Sequence, residues 1–363
     1  MADADKSIVA GGGADYTTCV SFVNAADVSA GYWHGTVNDN SDYDDENIVF
    51  GAPTGTPTAA NNVELRGGNG NRHLGILGAA CRVRDGVGHV LTASSQFVSI
   101  QDLEIVQTGT GTSDEGIRVA SGAEDILISK CIIRSDIGAT QQDGIYAAAW
   151  TATIHVDNCI LLNWDRGGFH SQNSSGSASH IWNLEFNAVN ACGADNTNLT
   201  GGVVNRDNSS GTNTWNVWNN WAIGNSLSNS DDWQDGTGGA GIWNGGNNIA
   251  GDLTIEGKTT ASYDSVVLTA TDPASGENVH VTTIGATPNY TIVEEDTETV
   301  TQFGRTDRAG NESAPQTTGQ IQDFGTDIKH ANRGTTTVSI GPFELVEAGG
   351  GATQLLTRMQ YAA

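Results

Sequence analysis

Positive charge is scarce in this chain. Of 363 residues only 16 are Lys or Arg, four of them lysine, against 42 Asp and Glu, for a formal net charge of −26. Nucleic acids are held through Lys and Arg that displace counterions from phosphate, so a nucleic-acid partner is excluded. Anionic membrane surfaces are disfavoured for the same reason. No stretch approaches the ~18 consecutive apolar residues of a membrane span, so no membrane insertion is expected. The opening Met1-Ala-Asp-Ala-Asp-Lys6 has no basic region followed by an apolar run and does not read as a secretory signal. Proline is rare, at 6 residues, and the 47 glycines have no period of three, which excludes collagen. The five cysteines (Cys19, Cys81, Cys131, Cys159 and Cys192) are odd in number and form no CxxC, and the eight histidines form no HExxH. Neither a disulfide framework nor a metal or other cofactor site is indicated.

What is abundant is Gly, Asn, Thr and Ser, which penalise helix at almost every window. Nine Trp, eight Phe and seven Tyr, set among many Ile and Val, argue against disorder. These residues recur. Ile100-Gln-Asp-Leu-Glu-Ile105 matches Ile128-Ser-Lys-Cys-Ile-Ile133 and Val156-Asp-Asn-Cys-Ile-Leu161. Ile181-Trp-Asn-Leu-Glu-Phe186 and Val217-Trp-Asn-Asn-Trp-Ala222 continue the series at spacings of 28, 28, 25 and 36. A second set follows: Glu115-Gly-Ile117, Asp143-Gly-Ile145, then Gly168-Phe169, Gly202-Val203 and Gly241-Ile242. A coil of this kind cannot bury its apolar face alone, but a stack of coils can. The fold expected is all-β: a single right-handed parallel β-helix. Its third column (Asp102, Lys130, Asn158, Asn183, Asn219) marks a bend that tolerates the left-handed region, where stacked amides could form a ladder. The Gly column suits a turn that needs positive φ. Cys131 and Cys159, in adjacent coils of one column, are expected to be stacked core thiols.

Residues 1–62 read as an N-terminal cap with acidic loops, 63–252 as the main coils, and 253–345 as degraded coils with lateral loops. Residues 346–363 read as an apolar tail behind the hinge Gly349-Gly350-Gly351. Asp15 is placed to N-cap a short helix over Tyr16–Ala26 that presents Tyr16, Cys19, Val20, Val23 and Ala26. The acidic run from Asn38 to Glu46 does not fit an EF-hand loop, which needs Gly at position 6, so a solvated loop is the first reading and a calcium site the second. Ser265–Thr271, Glu277–Thr283 and Val338–Glu344 look like strands, and 300–320 like a long loop. Leu355, Leu356, Met359 and Tyr361 form a tail suited to docking on the solenoid's own end or on a neighbouring subunit.

The pattern I/V-x-N-C/L-x-I followed by D-G-I resembles right-handed β-helices of the pectate-lyase-like superfamily. Asp15-Tyr-Thr-Thr, Arg72-His73, Asp323-Phe-Gly-Thr-Asp327 and Ile340-Gly-Pro-Phe-Glu344 resemble, more closely, β-helix proteins of bacteriophage and environmental viral genomes. Ser339 stands where that group usually has Asp. The resemblance implies a virion location, a homo-oligomer, plausibly a trimer, and other virion proteins as partners. The superfamily holds both enzymes and non-catalytic virion proteins, so fold does not decide activity.

Glycosidic cleavage by acid and base needs two carboxyls at a set separation. The polygalacturonase set fails here: Gly88-His89-Val90 lacks its second Gly, R-I-K is absent, and the one adjacent Asp pair in the coils after the first ones is Asp231-Asp232. No catalytic set is therefore expected. If the chain is an enzyme, a polysaccharide lyase or glycosidase, the candidates are Arg118 with Glu115, Asp143 and Asp165. Arg118, Tyr146 and His170 each follow an inward residue and should face outward in one column. Six of nine tryptophans lie between 182 and 243: Trp182, Trp215, Trp218, Trp221, Trp233 and Trp243. Exposed indoles would make a glycan platform or a subunit interface; packing beneath long insertions is the alternative. Trp182 and Trp218 are expected to share a column. Two functions remain open: a non-enzymatic structural protein of a virus particle (a capsid decoration or tail component), and a polysaccharide-cleaving enzyme. A glycan-binding adhesin is a third.

Overall fold

The computed structural model describes residues 4–44, 47–68, 70–73, 81–112, 114–136, 141–148, 150–173, 179–190, 192–193, 200–207, 211–223, 225, 231–236, 241–246 and 248–250. Beyond these it describes 254–255, 258, 309–310, 338–339 and 341–342. The tail residues Leu355, Leu356, Met359 and Tyr361, the strands expected at 265–271 and 277–283, and most of the expected 253–345 region lie outside the described residues. Val338–Ser339 does form a short strand, antiparallel to Ala309–Gly310 within the expected 300–320 loop.

Residues 4–250 wind into a parallel β-helix. Each full coil contributes one strand to each of three sheets, which among the described residues hold nine, eight and seven strands. All pairings within them are parallel and join each coil to the next. Register follows the buried aliphatic column. In the nine-stranded sheet Ile100 pairs with Ile128, then Val156, Leu184, Val217 and Gly245, at spacings of 28, 28, 28, 33 and 28 read from those numbers. The expected spacing of 25 then 36 is thus corrected: Leu184, not Ile181, is the equivalent of Val156. Ile181 misled because it is β-branched and followed by Asn183, yet it lies on the outer surface and is 38% exposed.

The correction moves the bend column to Asp102, Lys130, Asn158, Phe186 and Asn219. All five have left-handed backbone, with φ of 57°, 51°, 53°, 54° and 56°. Only the backbone is shared, since their side chains have little in common. A bulky residue such as Phe186 pays a steric cost in this region, so the stack on either side must hold it there.

The column one residue further on carries the polar ladder, not the bend column as expected. It reads Leu103, Cys131, Cys159, Asn187, Asn220, Asn248, all nearly or wholly buried. The backbone N–H of Cys159 donates to Asn187 Oδ1 (2.9 Å), that of Asn187 to Asn220 Oδ1 (3.0 Å), and that of Asn220 to Asn248 Oδ1 (3.0 Å). Each Nδ2 donates backwards, from Asn187 to Val156 O (2.8 Å), from Asn220 to Leu184 O (2.7 Å) and from Asn248 to Val217 O (2.9 Å). The thiols fill the same two roles more weakly. Cys131 N–H donates to Cys159 Sγ (3.3 Å), and the two Sγ atoms lie 3.7 Å from Ile100 O and Ile128 O. Both cysteines are free and buried, as expected, and burial raises the Cys159 thiol well above its usual pKa.

The glycine column has a different cause from the one anticipated. Gly116, Gly144, Gly168 and Gly202 are absent from the positive-φ residues. They face inward, where space is short. A Cβ on Gly116 would lie 2.8 Å from Ile133 and 2.9 Å from the Trp164 ring, and one on Gly144 3.0 Å from Trp164 Nε1.

The N-terminal end is closed by a helix, α1 (Cys19–Asn24), shorter than expected. Thr18, not Asp15, is its N-cap: Thr18 Oγ1 accepts from Ser21 N–H at 3.0 Å. Asp15 instead accepts from Ser7 N–H (2.9 Å). The helix buries Cys19, Phe22 and Val23 against the first strands. Phe22 fits because Gly35 leaves room for its ring.

Candidate functional site

Outward-facing polar side chains gather on the seven-stranded sheet. Its strands Ile117–Val119, Asp143–Ala148 and Gly167–Asn173 place Arg118, Tyr146 and His170 in one outward column, because Ile117, Ile145 and Phe169 beside them are buried inward. The expected column is therefore present. At the start of these strands lie Glu115 and Asp143, both buried.

These residues neutralise one another. Arg118 Nη1 lies 2.8 Å from His89 Nε2, and His89 Nδ1 contacts the Glu115 carboxylate. The Arg166 guanidinium lies 3.9 Å from Glu115 Oε1 and binds Asp143 Oδ2, through Nε at 2.8 Å and through Nη2. His170 Nδ1 lies 3.0 Å from both oxygens of Asp143. Two guanidiniums and two carboxylates thus cancel across three coils. Burial alone would raise the Asp143 carboxyl, but His170 and Arg166 outweigh it and hold the group below its ordinary pKa. Burial opposes the charge on Arg166 as well, and Asp143 beside it raises its pKa nonetheless. Tyr146 lies under the Arg166 guanidinium, whose Cζ is 5.3 Å from the ring centroid, and donates its hydroxyl to Gln172 (2.9 Å). Burial is the main cause that pushes its phenol up to about 12. His170 Nε2 is buried with no hydrogen-bond partner among the described residues.

Of the four candidate catalytic residues, the structure brings Glu115 and Asp143 together through Arg166, and Arg118 to Glu115 through His89. Asp165 accepts from Gln141 N–H at 2.6 Å. Arg166 and His89 were not picked out from the sequence. His89 stands two residues before Leu91 as Glu115 stands two before Ile117, and Leu91 pairs with Ile117. Extending the Glu-Gly-Ile alignment back one coil would have found it.

The tryptophans between 182 and 243 are mostly enclosed rather than exposed. Trp182, Trp215, Trp221 and Trp233 are buried, and Trp218 and Trp243 partly so. Trp182 pairs with Trp215, not Trp218, which pairs with Glu185. Inside the helix the indoles of Trp182, Trp215 and Trp243 stack at 5.0 and 5.2 Å between centroids, nearly parallel. They fill the cross-section and offer no sugar platform. The one exposed tryptophan among the described residues is Trp150, 52% exposed and not among those anticipated. The acidic run is partly taken up by arginine: Asp42 binds Arg82 and Arg84, and Asp44 binds Arg84 (3.2 Å). Among the described residues no group of three or more His, Cys, Asp or Glu is arranged to hold a metal ion.

No family model matches this chain, and no curated protein matches it. Its fold is similar to that of the pectate lyase Pel9A, with 9% identity, a TM-score of 0.48, and coverage of 95% of this chain and 98% of that one. A pectin methylesterase from carrot follows, with 13% identity, a TM-score of 0.36, and coverage of 73% and 88%. A pectin methylesterase mutant in complex with a hexasaccharide has 12% identity, a TM-score of 0.32, and coverage of 72% and 71%. These neighbours act on polysaccharides. At such identities and scores the likeness carries no argument about what this chain does.

Proposed function

We propose that this chain is a non-enzymatic structural protein of a phage-like virus particle, a capsid decoration or tail component. The observation that carries the non-catalytic part is the internal neutralisation of the outward cluster. Arg118, Glu115 and Asp143 spend their charges on His89, Arg166 and His170, and both carboxylates are buried. A base or acid for glycan cleavage has to reach the proton it moves, and these carboxyls are enclosed by their own partners. The viral part rests on the sequence resemblance, and with it come the homo-oligomer, a trimer, and the other virion proteins as partners. The net charge of −26 suits an exposed particle surface that must stay soluble and off the packaged genome. Mass spectrometry of purified particles, quantified against infected-cell lysate, tests this reading. Stoichiometric recovery in the particle is expected, and recovery from lysate alone would overturn it.

One observation favours the second reading, a polysaccharide lyase or hydrolase. An imidazole oriented by a carboxylate, with its other nitrogen unpartnered, has the orientation of a general base; Asp143–His170 has that geometry, but the ring is fully buried and a substrate would reach it only if the outer face opened. Under this reading a glycan panel assayed for unsaturated or reducing-end products gives turnover that His170→Gln and Arg118→Ala abolish. Under the structural reading the panel is inert.

A further inference from the structure

His89 receives more hydrogen-bond partners than one protonation state can serve. The Arg118 guanidinium points a donor at Nε2 at 2.8 Å. Arginine keeps its proton at any pH a protein meets, so Nε2 must supply the lone pair. The Glu115 carboxylate contacts Nδ1, and the Glu115 backbone N–H approaches the same nitrogen at 3.2 Å. An ionised carboxylate is an acceptor only, so Nδ1 must carry a hydrogen. The backbone N–H is then the weaker, displaced contact. Only the neutral ring with hydrogen on Nδ1 satisfies both charged neighbours.

We infer that His89 is a proton-operated latch on Arg118: neutral, it holds the guanidinium down on the outer face of the seven-stranded sheet, and protonated, it lets go. A second proton has to go onto Nε2, directly opposite the guanidinium N–H. That replaces a donor–acceptor pair with two facing donors and two like charges. The Glu115 carboxylate favours the charged ring, but it faces Nδ1 and so cannot keep a lone pair on Nε2 for Arg118. The remaining charged groups nearby are already engaged, Arg166 with Asp143 and Glu115, and Asp143 with Arg166 and His170. On acidification the loss therefore falls on the Arg118 contact. His89 and Arg118 are both only partly buried, so water can reach them. The outer face would then present a free cation when His89 is protonated and a tethered one when it is neutral.

The test uses the full chain, isotope-labelled, with long-range nitrogen–proton spectra of the histidine rings and exchange measurements on the Arg118 Nη1 hydrogens. At about pH 8, above the ordinary histidine range, His89 is expected as the tautomer with hydrogen on Nδ1. As His89 takes its second proton on acidification, protection of the Arg118 Nη1 hydrogens should fall about tenfold, the size a charge-assisted hydrogen bond supports. In His89→Gln the protection should not depend on pH. The proposal is overturned by hydrogen on Nε2 at the higher pH, by protection that ignores His89 protonation, or by the same loss in His89→Gln. The tautomer reading needs no variant, so it decides even if the substitution disturbs folding.

Discussion

The coils up to residue 162 and those from 181 to 250 enclose the same cross-section with different materials. The earlier coils fill it with stacked aliphatics, Ile100–Ile128–Val156 and Ile105–Ile133–Leu161, and close the bend with Leu103, Cys131 and Cys159. The later coils use stacked indoles, Trp182–Trp215–Trp243, and close the bend with Asn187, Asn220 and Asn248. The corner between the seven- and nine-stranded sheets changes in the same direction. Its inward column runs Val119, Ala147, Ser171, Asn205, Asp235. From Ser171 on, each coil adds a hydrogen bond across the corner: Ser171 to His180 at 2.7 Å, Asn213 to Asn205 at 2.9 Å, and Trp243 Nε1 to Asp235 at 3.0 Å. A solenoid constrains the shape of its interior more than its polarity. A polar interior is tolerated where its buried amides and carboxylates find partners, within a coil at the corner and in the next coil along the amide column.

The sharpest way to break this comparison is at the indole stack. Trp215→Ala should cost about 5 kcal/mol, the upper end for a large buried side chain, because both faces of Trp215 lie against other rings. Ile128→Val in the aliphatic coils should cost about 1 kcal/mol. Denaturant unfolding followed by hydrogen exchange would show whether the loss stays in the later coils. Next is Asn220→Ala, expected at about 4 kcal/mol, since it strands the Asn187 N–H and the Leu184 carbonyl in a buried site. A loss below that of an ordinary surface substitution would mean the ladder is ornamental.

Acid should separate the two regions as well. Burial, the main cause, pushes the His180 imidazole down to about 4 from its usual value. An unfolded chain protonates this ring near 6.5, whereas the folded chain keeps it neutral until about 4. Its contribution is therefore complete above the unfolded value and lost as the pH falls between the two. The loss amounts to at most about 3 kcal/mol. Stability measured across that window should fall less steeply in His180→Asn than in the parent chain. The smallest effect is expected from Cys159→Asn, which extends the amide column by one coil. Its Oδ1 can accept from Cys131 N–H and its Nδ2 can donate to Ile128 O, so stability should change by less than about 1 kcal/mol. A larger loss would show that the aliphatic coils reject an amide on grounds of volume.

The aliphatic coils were legible in the sequence and the aromatic ones were not, and the reason is local. Where Ile or Val stands at the inward position and a polar residue at the bend, as at Ile100, Ile128 and Val156, alignment by eye finds the register. At Leu184 the bend residue is Phe186, whose left-handed backbone no propensity would suggest, and Asn183 three residues earlier offers a false match. The slip by three residues turned Trp182 and Trp218 into apparent column mates and an inward stack into an apparent surface. The outward cluster was half legible. Glu115, Arg118 and Asp143 follow from the Gly-Ile register. His89 was reachable by carrying the same register back one coil, whereas Arg166 lies in a turn and reaches across coils, so its role depends on side-chain length and approach that spacing does not encode. The glycine column was located correctly and explained wrongly, because crowding by Trp164 is visible only once the interior is built.

The unbroken 28-residue pitch from Ile100 to Leu184 makes the coil a unit of growth. A tandem copy of residues 126–153, spliced in frame, would add one strand to each sheet and lengthen the solenoid by about 4.8 Å without altering a neighbour. Inserted at the boundary between Cys159 and Asn187, the same copy would offer Asn187 the backbone N–H of its Cys131 and the carbonyl of its Ile128, in place of the Cys159 N–H and Val156 carbonyl that Asn187 meets now. Lineages of such proteins should therefore vary in length by whole coils.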